Sequence, residues 1–143
     1  MKHTYEVSTE LEQLAIEVIK EKKDNLIPII ISGMKIVYVE SNERKKSRGG
    51  LVFVDTRVVK GVYRAFIPYD FIITFYLPHT MLLDENQMRI LMWHELKHCG
   101  ITPTGEYCVI PHDIEDFSDI IDIHGHKWAN MQQVGGEPEL DED

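Results

Sequence analysis

Residues 84–100 read DENQMRILMWHELKHCG. Asp84 and Gln87 have the spacing of a capping box, which predicts that a helix begins there. Positions 87–99 are apolar on nearly every side of such a helix, and Gly100 is a residue type that ends helices. A helix that is apolar all round is buried, so we expect this one to lie in the middle of the fold.

The last turns of this helix carry the pattern H-E-x-x-H, at His94, Glu95 and His98. Because four residues are close to one helical turn, both imidazoles project from one face and can reach the same metal ion. Glu95 lies about 100° around the helix axis from His94, beside that ion, where a general base acts on bound water. Surface histidines are the alternative, but the flanking Met92 and Trp93 predict burial, and buried imidazoles require partners. The pattern therefore favours a zinc site.

A third metal ligand is expected elsewhere in the chain, because catalytic zinc takes three protein ligands and keeps one position for water. Two residues are candidates: His112, fourteen positions after His98, and Glu115, seventeen after it. We favour His112, at the start of a predicted helix that returns towards the first one. Asp113 and Asp116, in the first turn of that helix, could each accept a hydrogen bond from a ligand imidazole.

Other residues are weaker candidates for chemistry. Tyr107 is a candidate donor to an oxyanion, although a tyrosine on a strand more often packs. Cys99 and Cys108 favour free thiols in a reducing compartment, and a bridge across the loop between them is the alternative. The basic stretch 41–50 predicts a solvated turn, with a nucleic-acid patch as the alternative.

The rest of the chain predicts an α+β fold. Ser8 or Thr9 caps a first helix, in which apolar residues recur every three or four positions. Strands rich in β-branched and aromatic residues are predicted over 34–39, 51–54 and 69–76. Residues 1–134 form one domain in this interpretation, and the acidic tail 135–143 is disordered.

The charge of the chain limits its partners. The 143 residues include 15 basic and 24 acidic side chains, which give a net charge of −9 and disfavour non-specific binding to nucleic acid. The longest uncharged run of the apolar middle, 71–83, is shorter than the ~20 residues that span a bilayer. Because the first residues also have no apolar signal segment, we expect a cytoplasmic protein.

The run from Trp93 to Gly100, followed by His112, Asp113 and Phe117, resembles the putative phage metallopeptidase family, a small zincin-like group encoded in bacteriophages and prophages. It is also similar in motif to SprT-like and WLM-domain peptidases. The resemblance covers roughly residues 50–128. It implies a minimal zincin-like fold: an N-terminal helix, a small twisted mixed sheet, the active-site helix and a returning helix.

The resemblance also implies roles for single residues. His94, His98 and His112 would bind Zn²⁺, and Glu95 would activate the zinc-bound water that hydrolyses a peptide or protein substrate in the bacterial host. An extended substrate would pair with a sheet edge near 34–39 or 71–75. The alternative is a non-catalytic, zinc-stabilised interaction module of a phage or prophage, in which a further protein ligand such as Cys99 closes the site.

Overall fold

The computed structural model describes residues 2–48 and 50–111, which form an α+β fold. The returning helix and the acidic tail predicted from the sequence lie outside these residues. The elements are, in order, β1 (Tyr5–Val7), α1 (Thr9–Glu21), α2 (Ile27–Ser32), β2 (Ile36–Ser41), β3 (Lys46–Ser47), β4 (Gly50–Leu51), β5 (Val54–Val58), β6 (Phe71–Tyr76), α3 (Leu77–Thr80), α4 (Glu85–Leu96), β7 (Cys99–Ile101) and β8 (Tyr107–Val109), with short 3₁₀ turns at Lys23–Asn25 and Gly61–Ala65.

Four of the strands form a mixed sheet in the order β1-β2-β6-β5. The central strands β2 and β6 are parallel, with Ile36 opposite Phe71 at one end and Ser41 opposite Tyr76 at the other. The outer strands β1 and β5 are antiparallel to their neighbours. The predicted mixed sheet is confirmed. The predicted edge at 71–75 is wrong, because β6 lies between β2 and β5. Within the predicted edge at 34–39, β1 pairs with Val39 alone, so β2 has a neighbour on that side only over its last three residues.

One face of the sheet carries the hydrophobic core. Phe71, Ile73 and Phe75 alternate along β6 and are fully buried. Helices α1 and α4 pack against each other, and α1 packs on β2. Every residue of α4 from Ile90 to Leu96 is buried, which confirms the predicted central position of this helix.

Local signals place both long helices. The Ser8 side chain accepts a hydrogen bond from the Leu11 amide and begins α1, as predicted. Asp84 and Gln87 form the predicted capping box of α4, with the Asp84 carboxylate 2.7 Å from the Gln87 amide. Arg89 of α4 then binds Glu17 and Glu21 of α1 at 2.8 Å each, which fixes the register between the two helices.

The end of α4 differs from the prediction. The helix stops at Leu96, and Gly100 lies within strand β7, opposite Cys108 of β8. Residues 99–101 pair with β8 and therefore do not continue the helix. Gly100 serves packing here, since a Cβ atom at this position would lie 2.2 Å from Cδ1 of Ile110.

The cysteines and the lengths of the helices can also be compared with the predictions. Cys99 and Cys108 both lie in the β7–β8 hairpin and form no disulfide, as favoured, because residues one register step apart point to opposite sides of a ladder. Within the described ranges, none of the helices has the length and apolar content of a membrane-spanning segment.

Candidate functional site

Three buried polar residues gather at the end of α4. His94 and Glu95 belong to the last turn of the helix, and His98 follows it by two positions. Their exposed fractions are only 2%, 1% and 3%. One potential ligand atom from each residue lies within 4.8 Å of the others, and the two imidazole rings are 5.3 Å apart and nearly perpendicular. The structure therefore brings together the motif residues that the sequence predicted.

The chain turns tightly after α4 and keeps His98 beside His94. The amide of Lys97 donates to the Trp93 carbonyl at 3.1 Å, and the amide of His98 donates to the Glu95 carbonyl at 3.0 Å. The motif thus retains its helical geometry although the regular helix ends at Leu96.

The main chain of Ile110 contacts both the main chain and the side chain of His98. The Ile110 amide donates to the His98 carbonyl at 2.7 Å, and Nδ1 of the His98 ring lies 2.5 Å from the Ile110 carbonyl. Because a carbonyl oxygen only accepts, Nδ1 carries the proton in this contact, and Nε2 is the nitrogen with a lone pair for a metal. A carbonyl partner of this kind also fixes the orientation of a ligand ring.

Thr56 orients the acidic residue of the group. Its hydroxyl donates a buried hydrogen bond of 2.7 Å to Oε1 of Glu95. Alternation along β5 turns Thr56 towards the helices together with Val54 and Val58. Thr56 is not among the site residues predicted from the sequence, and the signal for it is a polar side chain on the apolar face of a strand.

The donor set fits a transition metal. Two imidazoles suit zinc as ligands, and the carboxylate beside them can either complete the ligand set or act on a metal-bound water. Among residues 2–48 and 50–111, the group of His94, Glu95 and His98 is the one set of three potential ligands that lie together. Cys99 and Cys108 are not part of it, so neither thiol closes the site in the described structure.

The other predicted site residues lie partly within and partly outside the described chain. Tyr107 lies on β8, with its ring 5.7 Å from Phe71 in an edge-to-face contact, and its role as an oxyanion donor stays a prediction. The described chain stops at Pro111. The candidates beyond it lie outside the described residues: His112, Asp113, Glu115 and Asp116.

A second buried polar cluster lies on the other face of β5. The Asp55 carboxylate accepts hydrogen bonds from Nζ of Lys45 and the hydroxyl of Tyr76, each at 2.7 Å. Burial and the nearby Asp55 charge raise the pKa of Tyr76 above its usual value. Lys45 thereby ties the basic stretch 41–50, predicted as a solvated turn, to the strand that carries Thr56.

Comparison with families of known proteins gives a match. A family model described as putative phage metallopeptidase matches residues 3–134. The matched range contains the buried group at His94, Glu95 and His98, and it also contains His112 and Glu115. Neither a search of curated proteins nor a search of solved structures gave a match.

Proposed function

The chain belongs to the putative phage metallopeptidase family, and we propose that it hydrolyses peptide bonds with zinc as its metal and Glu95 as the general base. The observation that carries this proposal is the buried group of His94, Glu95 and His98, whose potential ligand atoms lie within 4.8 Å of one another. Burial matters because charges act more strongly where water is excluded.

The roles of the residues follow from their chemistry. His94 and His98 would hold the metal through neutral imidazole nitrogens. A zinc ion supplies a water ligand with a pKa lowered towards neutrality and polarises the substrate carbonyl. Glu95 would accept the proton of the attacking water and return it to the leaving amine. Thr56 would keep the Glu95 carboxylate turned towards that water.

The third ligand in this proposal is His112. Ile110 contacts His98, and because two residues of chain span at most about 7 Å, the short connection favours His112 as this ligand. Glu115 is the alternative, with five residues of chain to place it. Asp113 and Asp116 would accept hydrogen bonds from ligand imidazoles. Zinc content should fall strongly in His112→Ala and little in Glu115→Ala, and the reverse result would exchange their roles.

The proposal extends to fold and location. We propose one zincin-like domain over residues 1–134 with an acidic tail at 135–143, acting in the cytoplasm of the bacterial host.

We also propose that an extended substrate lies along β5, since this edge strand contacts the general base through Thr56.

Substitution of Glu95 tests the function. Glu95→Gln should bind as much zinc as the wild type, measured by elemental analysis, while hydrolysis of a fluorogenic protein substrate falls by about 10²-fold or more. The matched control is Glu85→Gln, on the exposed first turn of the same helix, which should retain activity. Undiminished hydrolysis by zinc-loaded Glu95→Gln would overturn the mechanism.

The non-catalytic interaction module remains the alternative function. It requires a protein ligand in every metal position, and Cys99 and Cys108 do not join the group in the described structure. Spectra of the cobalt-substituted protein distinguish the two, because an added anion that replaces the water ligand of an open site changes the visible absorption, whereas a site closed by four protein ligands does not respond.

A further inference from the structure

Positive charge is concentrated in one segment of this acidic chain. Residues 44–69 contain seven basic residues and one acidic residue, which give a net charge of +6. The remaining residues together carry −15, so the whole chain carries −9. The one acidic residue, Asp55, is buried and is bound by Lys45 and Tyr76, and the exposed guanidinium of Arg57 lies 3.7 Å from it. The exposed charge of this segment is therefore entirely basic.

These basic residues flank the strand next to the general base. Six of them are exposed and form what we call the cationic band: Arg44, Lys46, Arg48, Arg57, Lys60 and Arg64. Three precede β5, one lies on it and two follow it. Because β5 is an edge strand and its Thr56 contacts Glu95, a polypeptide that follows β5 past the base meets the band on both sides.

A cleft lies at the far end of β5. Lys60 and Arg64 line it on one side, Glu106 and Tyr107 line it on the other, and its volume is about 580 Å³. Arg64 binds Asp70 at 3.2 Å, but its side chain is half exposed and a guanidinium has five N–H donors. Lys60 is four residues after Thr56 and two beyond the end of β5, so the chain between them spans at most about 13 Å. A substrate residue three or four positions from the scissile bond would reach this cleft.

We propose that the substrate is an acidic polypeptide segment, whose Asp or Glu side chains lie against the cationic band while its backbone passes Glu95. This inference rests on the proposed peptidase function and adds the substrate class to it. Carboxylates at three to four positions from the scissile bond would bind Lys60 and Arg64, and carboxylates on the other side would meet the residues before β5.

The distribution of charge favours a polypeptide over nucleic acid. Helix α1, which packs on β2 away from β5, carries Glu10, Glu12, Glu17 and Glu21. A long phosphate backbone would extend beyond the band and meet these acidic surfaces. A few carboxylates on a peptide interact over roughly 8 Å at physiological salt, so they respond to the band and to the two acidic residues beside it, Glu106 in the cleft and Asp70 on Arg64, but not to the acidic face of α1.

Peptide cleavage tests the inference. Three fluorogenic peptides share one core sequence and carry Glu, Gln or Lys at the third and fourth positions on both sides of the scissile bond. We expect the zinc-loaded wild type to cleave the Glu peptide with a kcat/KM about tenfold above that of the Gln peptide, and the Lys peptide more slowly still. The preference should shrink in 0.5 M salt because screening weakens exposed charge pairs.

Two double variants assign the preference to the band. In the variant with Lys60→Gln and Arg64→Gln, the ratio of kcat/KM for the Glu peptide to that for the Gln peptide should fall towards one. The variant with Arg57→Gln and Lys60→Gln should also lower this ratio, and it leaves the Arg64–Asp70 pair intact. The matched control is Lys20→Gln with Lys23→Gln, two exposed lysines in and just after α1, which should keep the wild-type ratio.

The outcomes separate the inference from the function. Equal cleavage of all three peptides would overturn the acidic substrate class and leave the peptidase intact. If no peptide is cleaved, the proposed function fails, and binding of a fluorescent twelve-residue poly-Glu peptide to Glu95→Gln decides the inference separately. A twelve-nucleotide single strand that displaces this peptide at lower concentration than unlabelled poly-Glu would overturn the inference and assign the band to nucleic acid.

Discussion

Thr56 and Glu95 are 39 positions apart in the chain and are joined by a buried hydrogen bond of 2.7 Å. The bond connects the edge strand of the sheet to the last turn of the central helix. The bond holds Oε1 of Glu95, so rotation of the carboxylate group is restricted and the position of Oε2 is limited as well. A carboxylate held in this way is positioned as the proposed general base would need to be.

Removal of this hydroxyl should lower turnover. Thr56→Val keeps the shape of the side chain and should reduce kcat about tenfold while zinc content stays unchanged. Thr56→Ser, which retains the hydroxyl, should restore most of the activity. The measurement is steady-state hydrolysis together with metal analysis. Full activity in the valine variant would show that Glu95 is oriented by other contacts.

Gly100 and Ile110 should be energetically coupled. Gly100→Ala would place a Cβ atom 2.2 Å from Cδ1 of Ile110, so we expect the free energy of unfolding to fall by about 1–3 kcal/mol. Ile110→Ala removes the opposing atoms, and the double variant should recover about 1 kcal/mol relative to the sum of the single changes. Urea unfolding of the four proteins measures this term, and strict additivity would contradict the steric account.

Tyr76 should make the protein less stable at alkaline pH. Burial and the Asp55 charge raise its pKa in the folded state, while an unfolded tyrosine titrates near ~10. Below that pH both states hold the proton and the contribution is complete. Above it only the unfolded state releases the proton, so the free energy of unfolding falls by about 1.4 kcal/mol per pH unit.

The comparison with Tyr76→Phe isolates this effect. The variant should lose about 0.5–1.5 kcal/mol at pH 8, because the hydrogen bond to Asp55 is gone, and should show a shallower decline above pH 10. Tyr63→Phe, at an exposed position, serves as the control and should follow the wild type. Parallel slopes for wild type and Tyr76→Phe would refute the assignment.

The backbone conformation of Arg48 should lower the stability of the protein. Its φ angle is 42°, in the left-handed region that favours glycine. We expect Arg48→Gly to raise the free energy of unfolding by about 1 kcal/mol, because the strain at a side chain in this region is relieved. Arg48→Ala removes the same charge but keeps the Cβ atom, so it should give no gain. Equal stability of the two variants in thermal unfolding would exclude backbone strain.

The parts of the fold that could be predicted have local causes. The Ser8 cap and the capping box at Asp84 act within four residues, and both helices begin where these signals lie. Strand β6 contains a continuous run of apolar and β-branched residues. By contrast, β1, β7 and β8 have three residues each, too few for a period to be recognised, and they form because a partner lies opposite.

The site also contains residues that local sequence predicts and a residue that only the tertiary structure brings in. His94, Glu95 and His98 follow from helical spacing, so the sequence alone places them together. Thr56 could not be found in this manner, because its contact with Glu95 depends on the tertiary position of β5. The end of the helix was mispredicted for a related reason, since the signal of Gly100 is local and the pairing of β7 with β8 overrides it.

The parallel pairing of β2 with β6 has a consequence for the order in which the protein folds. These strands are separated by residues 42–70, a connection of 29 residues that contains β5. Closing a long connection before its contacts form slows folding, whereas a motif within one helix forms early. We expect the histidines to bind metal before Thr56 reaches Glu95, so that metal uptake during refolding precedes the return of hydrolysis. A newly made chain would then acquire its metal before it can cleave anything.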